Sequence, residues 1–326
     1  MIYAYGVTQQ GAYHIKNNVV CQDAHKIIKC SDNMVIAAVA DGLGSEEHSD
    51  VASKTASEFS TEYCSNHIKS DSTEEEILEI IKDSFELSQN KIEQIATENG
   101  HDLDQYDTTL SLAILIDDCL YYGHSGDSGI IAMTTDGKFC KVTEQQRDSD
   151  GRVLPLFFGE EKWIIRKYDN PVVSVFLATD GMYEILFPVY IRDEDVSIYA
   201  ALAKFFMEPK SLKIEAEGEG AVQEKISKFM GNISAAQVND DKTVAVIMNT
   251  DTSYSMQPAE YYAEPDWPSL KKKYEDAWKR AAYPHLYKDE DKKETKETVK
   301  EEQPATEISE GNEVDNADNT EVKASE

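Results

Sequence analysis

The sequence lacks the patterns that mark several common classes of protein. No stretch approaches the ~18 consecutive apolar residues of a transmembrane helix, so we expect no membrane association. The N-terminus has no basic segment followed by an apolar one, so we expect no secretory signal. Basic residues number 32 against 62 acidic ones, and the resulting net charge of -30 argues against binding to nucleic acid or to anionic membranes.

Cysteine is also sparse, with five residues and no Cys-x-x-Cys pair. An odd number of widely spaced cysteines favours a reducing compartment over a disulfide framework, and it predicts a cytoplasmic protein. The chain also has no Gly-x-x-x-x-Gly-Lys loop, no Gly-x-Ser-x-Gly elbow and no His-Glu-x-x-His pair. These absences argue against P-loop nucleotide hydrolysis, serine hydrolase chemistry and zinc peptidase chemistry.

Aspartates at chain turns are the most informative residues that are present. Asp41 and Asp180 each follow a short apolar run, at 35–39 and 172–178, and each precedes a glycine. Asp23, Asp127 and Asp240 lie in other short polar segments. A carboxylate at the end of a buried strand is held rigidly and is reachable by solvent. Several such groups converging would form a hard-oxygen site for Mg²⁺ or Mn²⁺.

The hydrophobic patterning predicts a mixture of helices and strands. Helices are expected over 50–68 and 73–99, the second beginning with a capping box of Ser72 and Glu75 and ending at Gly100. Strands are expected over 110–116, 120–124, 129–134, 139–142, 172–178 and 243–248, and further helices over 194–207 and 221–230. Strands in hairpin-like succession, interrupted by pairs of helices, favour the α+β class.

Composition divides the chain into three parts. Residues 1–250 are expected to form one folded domain. Residues 251–287 contain a proline-bearing connector and a short amphipathic helix. Residues 288–326 are polar, acidic and almost without aromatic side chains, so they are predicted to be disordered.

Six short segments occur in a fixed order along residues 1–250. They are Gln22-Asp23-Ala24, Val39-Ala40-Asp41-Gly42-Leu43-Gly44-Ser45, Asp107-Thr108-Thr109-Leu110, Gly126-Asp127-Ser128, Ala178-Thr179-Asp180-Gly181 and Asp240-Asp241-Lys242-Thr243. In this order they resemble the metal-dependent protein serine/threonine phosphatases of type 2C. His14, followed by Cys21-Gln22-Asp23, resembles a bacterial subgroup that opens with a histidine and then Cys-Gln-Asp.

The resemblance implies a fold, a reaction and a set of partners. The fold is a four-layer αββα sandwich of two antiparallel sheets flanked by helices, with a binuclear metal site at one end. The reaction is hydrolysis of phosphoserine and phosphothreonine in proteins by a metal-bridged hydroxide, without a covalent intermediate. The implied cofactors are two Mg²⁺ or Mn²⁺ ions, with a third in many bacterial members. The substrates would be targets of a serine/threonine kinase, and we expect a monomer.

The resemblance also assigns roles to individual residues. Asp41 matches the carboxylate that bridges both metals, and Gly42 matches a backbone carbonyl ligand. Asp23 matches an acid that holds metal-bound water, so Asp41 and Asp23 together would hold the attacking water. Asp180 and Asp240 match ligands of the second metal, and Asp127 matches a ligand of the third.

Three positions depart from the family's usual pattern. Many members have a phosphate-binding arginine where this chain has Asn18, which leaves His14, Lys16 or Asn18 as candidate phosphate contacts. Leu43 stands where some members have a histidine proposed as general acid, and Gly129 stands where an arginine often follows Gly-Asp-Ser.

The missing arginine keeps an alternative open. The chain would then be a catalytically weak or inactive relative that binds phosphoproteins through the same fold. An unrelated calcium-binding protein fits less well, because calcium loops gather their ligands within about twelve residues.

Overall fold

The structure is a computed structural model that describes residues 1–192 and 194–286. Its strands are β1 (Ile2–Gln9), β2 (Asp23–Ser31), β3 (Met34–Asp41), β4 (Leu110–Ile116), β5 (Cys119–Ser125), β6 (Gly129–Thr134), β7 (Phe139–Lys141), β8 (Ile164–Lys167), β9 (Val172–Ala178) and β10 (Lys242–Asn249). Its α-helices are α1 (Ala12–Asn17), α2 (Ser49–His67), α3 (Glu74–Asn99), α4 (Asp180–Tyr183), α5 (Ala200–Met207), α6 (Pro209–Leu212), α7 (Ile214–Gly231) and α8 (Trp267–Ala282).

The strands form two antiparallel sheets of five strands each. One has the order β1-β10-β9-β6-β7 and the other the order β2-β3-β4-β5-β8. The central strands are buried on both faces, and alternate residues of β3 show why its sequence is a continuous apolar run. Val35, Ala37 and Val39 belong to the cluster shared by the two sheets. Ile36 and Ala38 belong to a second cluster, in which β3 and β4 pack against α2 and α3.

A third hydrophobic cluster covers the outer face of the other sheet. It joins residues of β9 and β10 to Phe206 on α5 and to Val222 and Ile226 on α7. The layers are therefore helices, sheet, sheet and helices. The predicted α+β four-layer sandwich is confirmed.

Three predicted helix starts differ from the structure. The helix predicted over 221–230 is the later part of α7, which begins at Ile214. The capping box of α3 uses Thr73 and Glu76, because the Thr73 side chain accepts a hydrogen bond from the Glu76 N–H and Glu76 accepts one from the Thr73 N–H. Ser72 instead accepts a hydrogen bond from the Lys69 N–H. The helix predicted over 194–207 begins only at Ala200, where its buried apolar face begins.

The described chain divides into two compact units, Met1–Leu270 and a second beginning at Lys271. In the first unit, the connector packs on the hairpin of β6 and β7: the Tyr261 hydroxyl accepts a hydrogen bond from the Phe139 N–H, and the Tyr262 hydroxyl donates one to the Gly137 carbonyl. The described part of the second unit contains the remainder of α8 and a short turn at Pro284–Leu286. The predicted tail, 288–326, lies outside the described residues.

Within residues 1–192 and 194–286, no helix combines the length and the apolar character that crossing a bilayer requires.

Candidate metal centre

Antiparallel pairing brings the distant aspartates to one end of the sandwich. Asp41 is the last residue of β3 and lies opposite Asp23, the first residue of β2. Asp180 follows β9, while Asp240 and Asp241 precede β10, the strand that pairs with β9. Asp127 lies in the turn between β5 and β6. Neighbouring antiparallel strands present opposite chain ends at the same edge, so residues far apart in sequence meet there.

Three carboxylates form the centre of this group. Asp41, Asp127 and Asp180 each have a carboxylate oxygen within 4.8 Å of an oxygen of the other two. Burial, followed by the charges of neighbouring aspartates, raises the pKa of Asp180 to about 7. The pKa of Asp41 is likewise raised, first by burial and then by the charge of Asp23. Both burial and the neighbouring negative charges disfavour the ionised form of these carboxyl groups, and a bound cation would favour it.

Hydrogen bonds from the segment Thr108–Thr109 hold Asp41 in place. The ordered segment Asp107-Thr108-Thr109-Leu110 therefore has a structural role. The Thr109 hydroxyl accepts a hydrogen bond from the Asp41 N–H at 2.9 Å, and the Thr109 N–H donates to the Asp41 carbonyl at 2.8 Å. The Thr109 hydroxyl also lies 2.9 Å from the Ser128 hydroxyl, beside Asp127. Thr109 thus links Asp41, the candidate metal-bridging carboxylate, to the turn that contains Asp127.

Gly42 is required by close packing. A Cβ atom at this position would lie 2.5 Å from the backbone oxygen of Ser49, at the start of α2. The Gly42 N–H donates a hydrogen bond to the Gln22 carbonyl at 3.0 Å. This bond connects the turn after β3 to the residue that precedes Asp23.

Asp23 faces the junction of the two sheets. Its side chain accepts a hydrogen bond from the Thr179 hydroxyl at 2.8 Å, and the Thr179 hydroxyl accepts one from the Thr243 N–H at 3.2 Å. Burial raises the pKa of the Asp23 carboxyl well above its usual range. Asp23 is therefore anchored beside Asp41 and Asp180 by the strand ends themselves.

Asp240 and Asp241 differ in burial and in their contacts, which the sequence did not predict. Asp241 is buried, and its carboxylate accepts hydrogen bonds from the N–H groups of Gly11 and Gln22, both at 2.6 Å. Asp240 is the exposed member, with 63% of its side chain accessible. Asp241 ties the start of β10 to the segment that precedes β2, and Asp240 is left free to face a ligand.

His14, the candidate phosphate contact, lies against this pair. Its Nδ1 atom is 2.9 Å from an Asp241 oxygen and its Nε2 atom is 3.8 Å from an Asp240 oxygen, with only 7% of its side chain accessible. The buried Nδ1 atom has no hydrogen-bond partner among the described residues. Lys16 and Asn18 are exposed on α1 and at its end, where Asn18 adopts the left-handed conformation that terminates the helix.

An arginine that sequence reasoning missed also reaches the cluster. Arg147 Nη2 lies 2.5 Å from an Asp127 oxygen and 3.9 Å from an Asp180 oxygen. The pKa of Asp127 is raised by burial and lowered in part by the charge of Arg147. The chain therefore supplies a cation here from the loop after β7, although Gly129 has replaced the arginine expected next to Ser128.

Close packing explains why residue 129 is a glycine. A Cβ atom there would lie 2.1 Å from the ring of Tyr183, whose hydroxyl donates a hydrogen bond to the Thr143 carbonyl at 2.9 Å. We expect Gly129→Ala to lower the free energy of unfolding by about 1–3 kcal/mol, as is usual for overpacking. Chemical denaturation measures this.

Gly220→Ala is the matched control, because nothing lies within 4 Å of a Cβ atom at that helical position. It should be neutral or stabilise by up to about 1 kcal/mol. Equal effects of the two substitutions would contradict the close approach of Tyr183 to Gly129.

An open groove of about 270 Å³ adjoins the centre. Asp180 and Asp240 line it together with residues that include Tyr13, Glu184 and Asn239. The groove therefore contains one of the three clustered carboxylates, Asp180, and the exposed carboxylate of Asp240.

Buried His124 is part of the framework. Its Nδ1 atom lies 2.8 Å from the Ser111 hydroxyl and its Nε2 atom 3.1 Å from the Glu144 carbonyl. Burial lowers the pKa of His124 to about 4, so the ring is neutral near pH 7.

Comparisons with known structures agree with this architecture. The serine-threonine phosphatase 2C of Toxoplasma gondii superposes with a TM-score of 0.52 at 14% identity, covering 75% of this chain and 94% of its own. A bacterial serine phosphatase gives 0.51 at 14% identity, covering 79% and 100%. PppA of Pseudomonas aeruginosa gives 0.50 at 13% identity, covering 76% and 97%. At such identities the likeness establishes the fold alone.

Sequence comparison supplies the family. No curated protein sequence matches the chain. The sequence model described as "Protein phosphatase 2C" matches residues 10–231, a span that includes Asp23, Asp41, Asp127 and Asp180 and stops short of Asp240. With well over half of the chain matched, and with its sheets and acidic cluster arranged as described, the chain belongs to the protein phosphatase 2C family.

Proposed function

We propose that this chain hydrolyses phosphoserine and phosphothreonine in proteins, using two Mg²⁺ or Mn²⁺ ions. The observation that carries the proposal is the convergence of Asp41, Asp127 and Asp180, whose oxygens lie within 4.8 Å of one another at the end of the sandwich. Membership of the protein phosphatase 2C family supports protein phosphatase activity in general.

The residues present fit divalent cations. Asp41, Asp127 and Asp180 are all carboxylates, which are the ligands that hard cations prefer, and of these Asp127 is already paired with Arg147. Burial, and after it the charges of the neighbouring aspartates, raises the pKa values of Asp41 and Asp180, so keeping both groups ionised carries a free-energy penalty. Binding of cations would remove this penalty.

The proposed roles of the ligands follow from their positions. Asp41, at the end of β3, would contact both ions; the Gly42 carbonyl would bind one of them, and Asp180 and the exposed Asp240 would bind the other. When bound, two divalent ions supply an acidified water as nucleophile and neutralise the phosphoryl oxygens. Asp23, which accepts a hydrogen bond from the Thr179 hydroxyl and lies opposite Asp41, would orient that water.

The groove beside the centre is the proposed binding site for the polypeptide of the substrate. Tyr13, Glu184 and Asn239 line it together with Asp180 and Asp240. Lys16 and Asn18 remain proposed phosphate contacts. His14 is the weakest of the three candidates, because its ring is buried against Asp241. The implied substrates are targets of a serine/threonine kinase.

Turnover of p-nitrophenyl phosphate and of a phosphothreonine peptide, with and without added Mn²⁺, tests the proposal. We expect hydrolysis that depends on the added ion and stops with a chelator. Binding of the peptide without turnover under Mg²⁺ and Mn²⁺ would contradict the proposal and favour the phosphoprotein-binding alternative.

We also propose that the chain is a cytoplasmic monomer. Its cysteines Cys21, Cys30, Cys64, Cys119 and Cys140 are all unpaired, as expected in a reducing compartment. Light scattering of the purified chain would test the monomer, and a dimer mass would contradict it.

A further inference from the structure

Arg147 occupies a position between carboxylates at the metal centre. Its Nη2 atom lies 2.5 Å from an Asp127 oxygen, 3.9 Å from an Asp180 oxygen and 4.0 Å from a Glu184 oxygen. The Asp127 side chain is only 3% accessible. A carboxylate this buried requires a partner, and the guanidinium group supplies it.

The two residues before Arg147 in the chain make hydrogen bonds that position it beside Asp127. Gln145 donates a side-chain hydrogen bond to the Asp127 carbonyl at 2.8 Å. The Gln146 N–H donates to the Gly126 carbonyl at 2.8 Å, and the Gly126 N–H donates to the Gln146 side chain at 3.0 Å. The segment 145–147 is thus paired with the turn that carries Asp127, so the ion pair is built into the fold.

We infer that Arg147 is a tethered cation that holds Asp127 and limits the metal centre to two ions. This inference rests on the proposed function, because it concerns the ions of that same centre. A guanidinium group stays charged at every physiological pH and bonds carboxylates in a fixed geometry. A divalent ion entering between Asp127 and Asp180 would have to displace it. Asp41 and Asp180 have no such close partner among the described residues and remain available as ligands.

The inference concerns the number of bound ions, so the direct test is metal counting. Wild type, Arg147→Gln, Arg152→Gln and Asp127→Asn are titrated with Mn²⁺ by isothermal calorimetry, and bound manganese is measured after dialysis. Arg152 is the matched control, since it lies in the same loop and is exposed. We expect two ions for wild type and Arg152→Gln, and three for Arg147→Gln, whose third ion should bind at least tenfold more tightly than any further Mn²⁺ does in wild type.

Asp127→Asn provides a second test that is independent of the folding of the arginine variant. Because Asp127 carries Arg147 and no ion in this account, the substitution should leave the count at two. Loss of an ion in Asp127→Asn would overturn the inference, as would three ions in wild type or only two in Arg147→Gln.

Melting temperatures separate this role from a purely structural one. With a chelator present, Arg147→Gln should melt below wild type, since Asp127 is left buried without its partner. Excess Mn²⁺ should narrow that gap by filling the vacated position. A gap that is the same with and without Mn²⁺ would contradict the inference.

The outcomes for the two proposals differ. Two ions and turnover in wild type, combined with two ions in Arg147→Gln, would overturn the role of Arg147 and leave the proposed function standing. A wild-type chain that binds no Mn²⁺ would remove both.

Discussion

Asp41→Asn is expected to lower the turnover of p-nitrophenyl phosphate with Mn²⁺ by about 10³-fold or more. Loss of a group that only supports a ligand typically costs about 10- to 100-fold, and Asp41 is proposed to contact both ions directly. It lies at the end of β3, opposite Asp23 and close to Asp127 and Asp180. Steady-state kinetics at saturating Mn²⁺ measures the effect.

The fold should survive this substitution. Asn is isosteric with Asp and removes one of several repelling charges, so the metal-free protein should be as stable as wild type or more stable. Denaturation in the presence of a chelator provides this control. Near-normal turnover in a folded Asp41→Asn protein would contradict the role of Asp41.

Asp241→Ala is expected to lower the free energy of unfolding by about 3 kcal/mol or more, because it leaves buried donors without acceptors. The donors are the N–H groups of Gly11 and Gln22, which the Asp241 carboxylate holds at 2.6 Å. The substitution should also release the buried ring of His14 from its charged neighbour. Urea denaturation measures the loss.

Asp240→Ala is the matched comparison, one residue earlier in the chain. Asp240 is mostly exposed, and its carboxylate accepts a hydrogen bond only from the Asp241 N–H among the hydrogen bonds of the described residues. Its loss should therefore reduce stability little, by about 1 kcal/mol or less, while it reduces metal-dependent turnover. Equal losses of stability in the two variants would contradict this division between a structural and a ligand carboxylate.

The central strands were predictable because burial on both faces leaves an unmistakable apolar run. Strand β3, with Ile36 and Ala38 toward the helices and Val35 and Val39 toward the other sheet, is an example. Strands β1 and β2 were not predicted. Each is the edge strand of its sheet, where polar residues such as His25 and Lys29 are tolerated and no apolar run is required.

The candidate site was predictable only in part, because some of its residues are positioned by contacts that are distant in sequence. Aspartates beside glycines at strand ends are visible in the sequence, and the structure brings Asp41, Asp127 and Asp180 together. Local sequence cannot decide which of Asp240 and Asp241 faces inward, because this depends on contacts with Gly11 and Gln22, more than 200 residues away. Arg147 was missed because its place depends on pairing between loops.

The most direct measurement is anomalous diffraction at the manganese absorption edge from crystals grown with Mn²⁺. Two peaks are expected among the oxygens of Asp41, Asp180 and Asp240, and both are expected to contact Asp41. Arg147 should still be in contact with Asp127. Well-ordered crystals with no anomalous peak among these carboxylates would contradict the account.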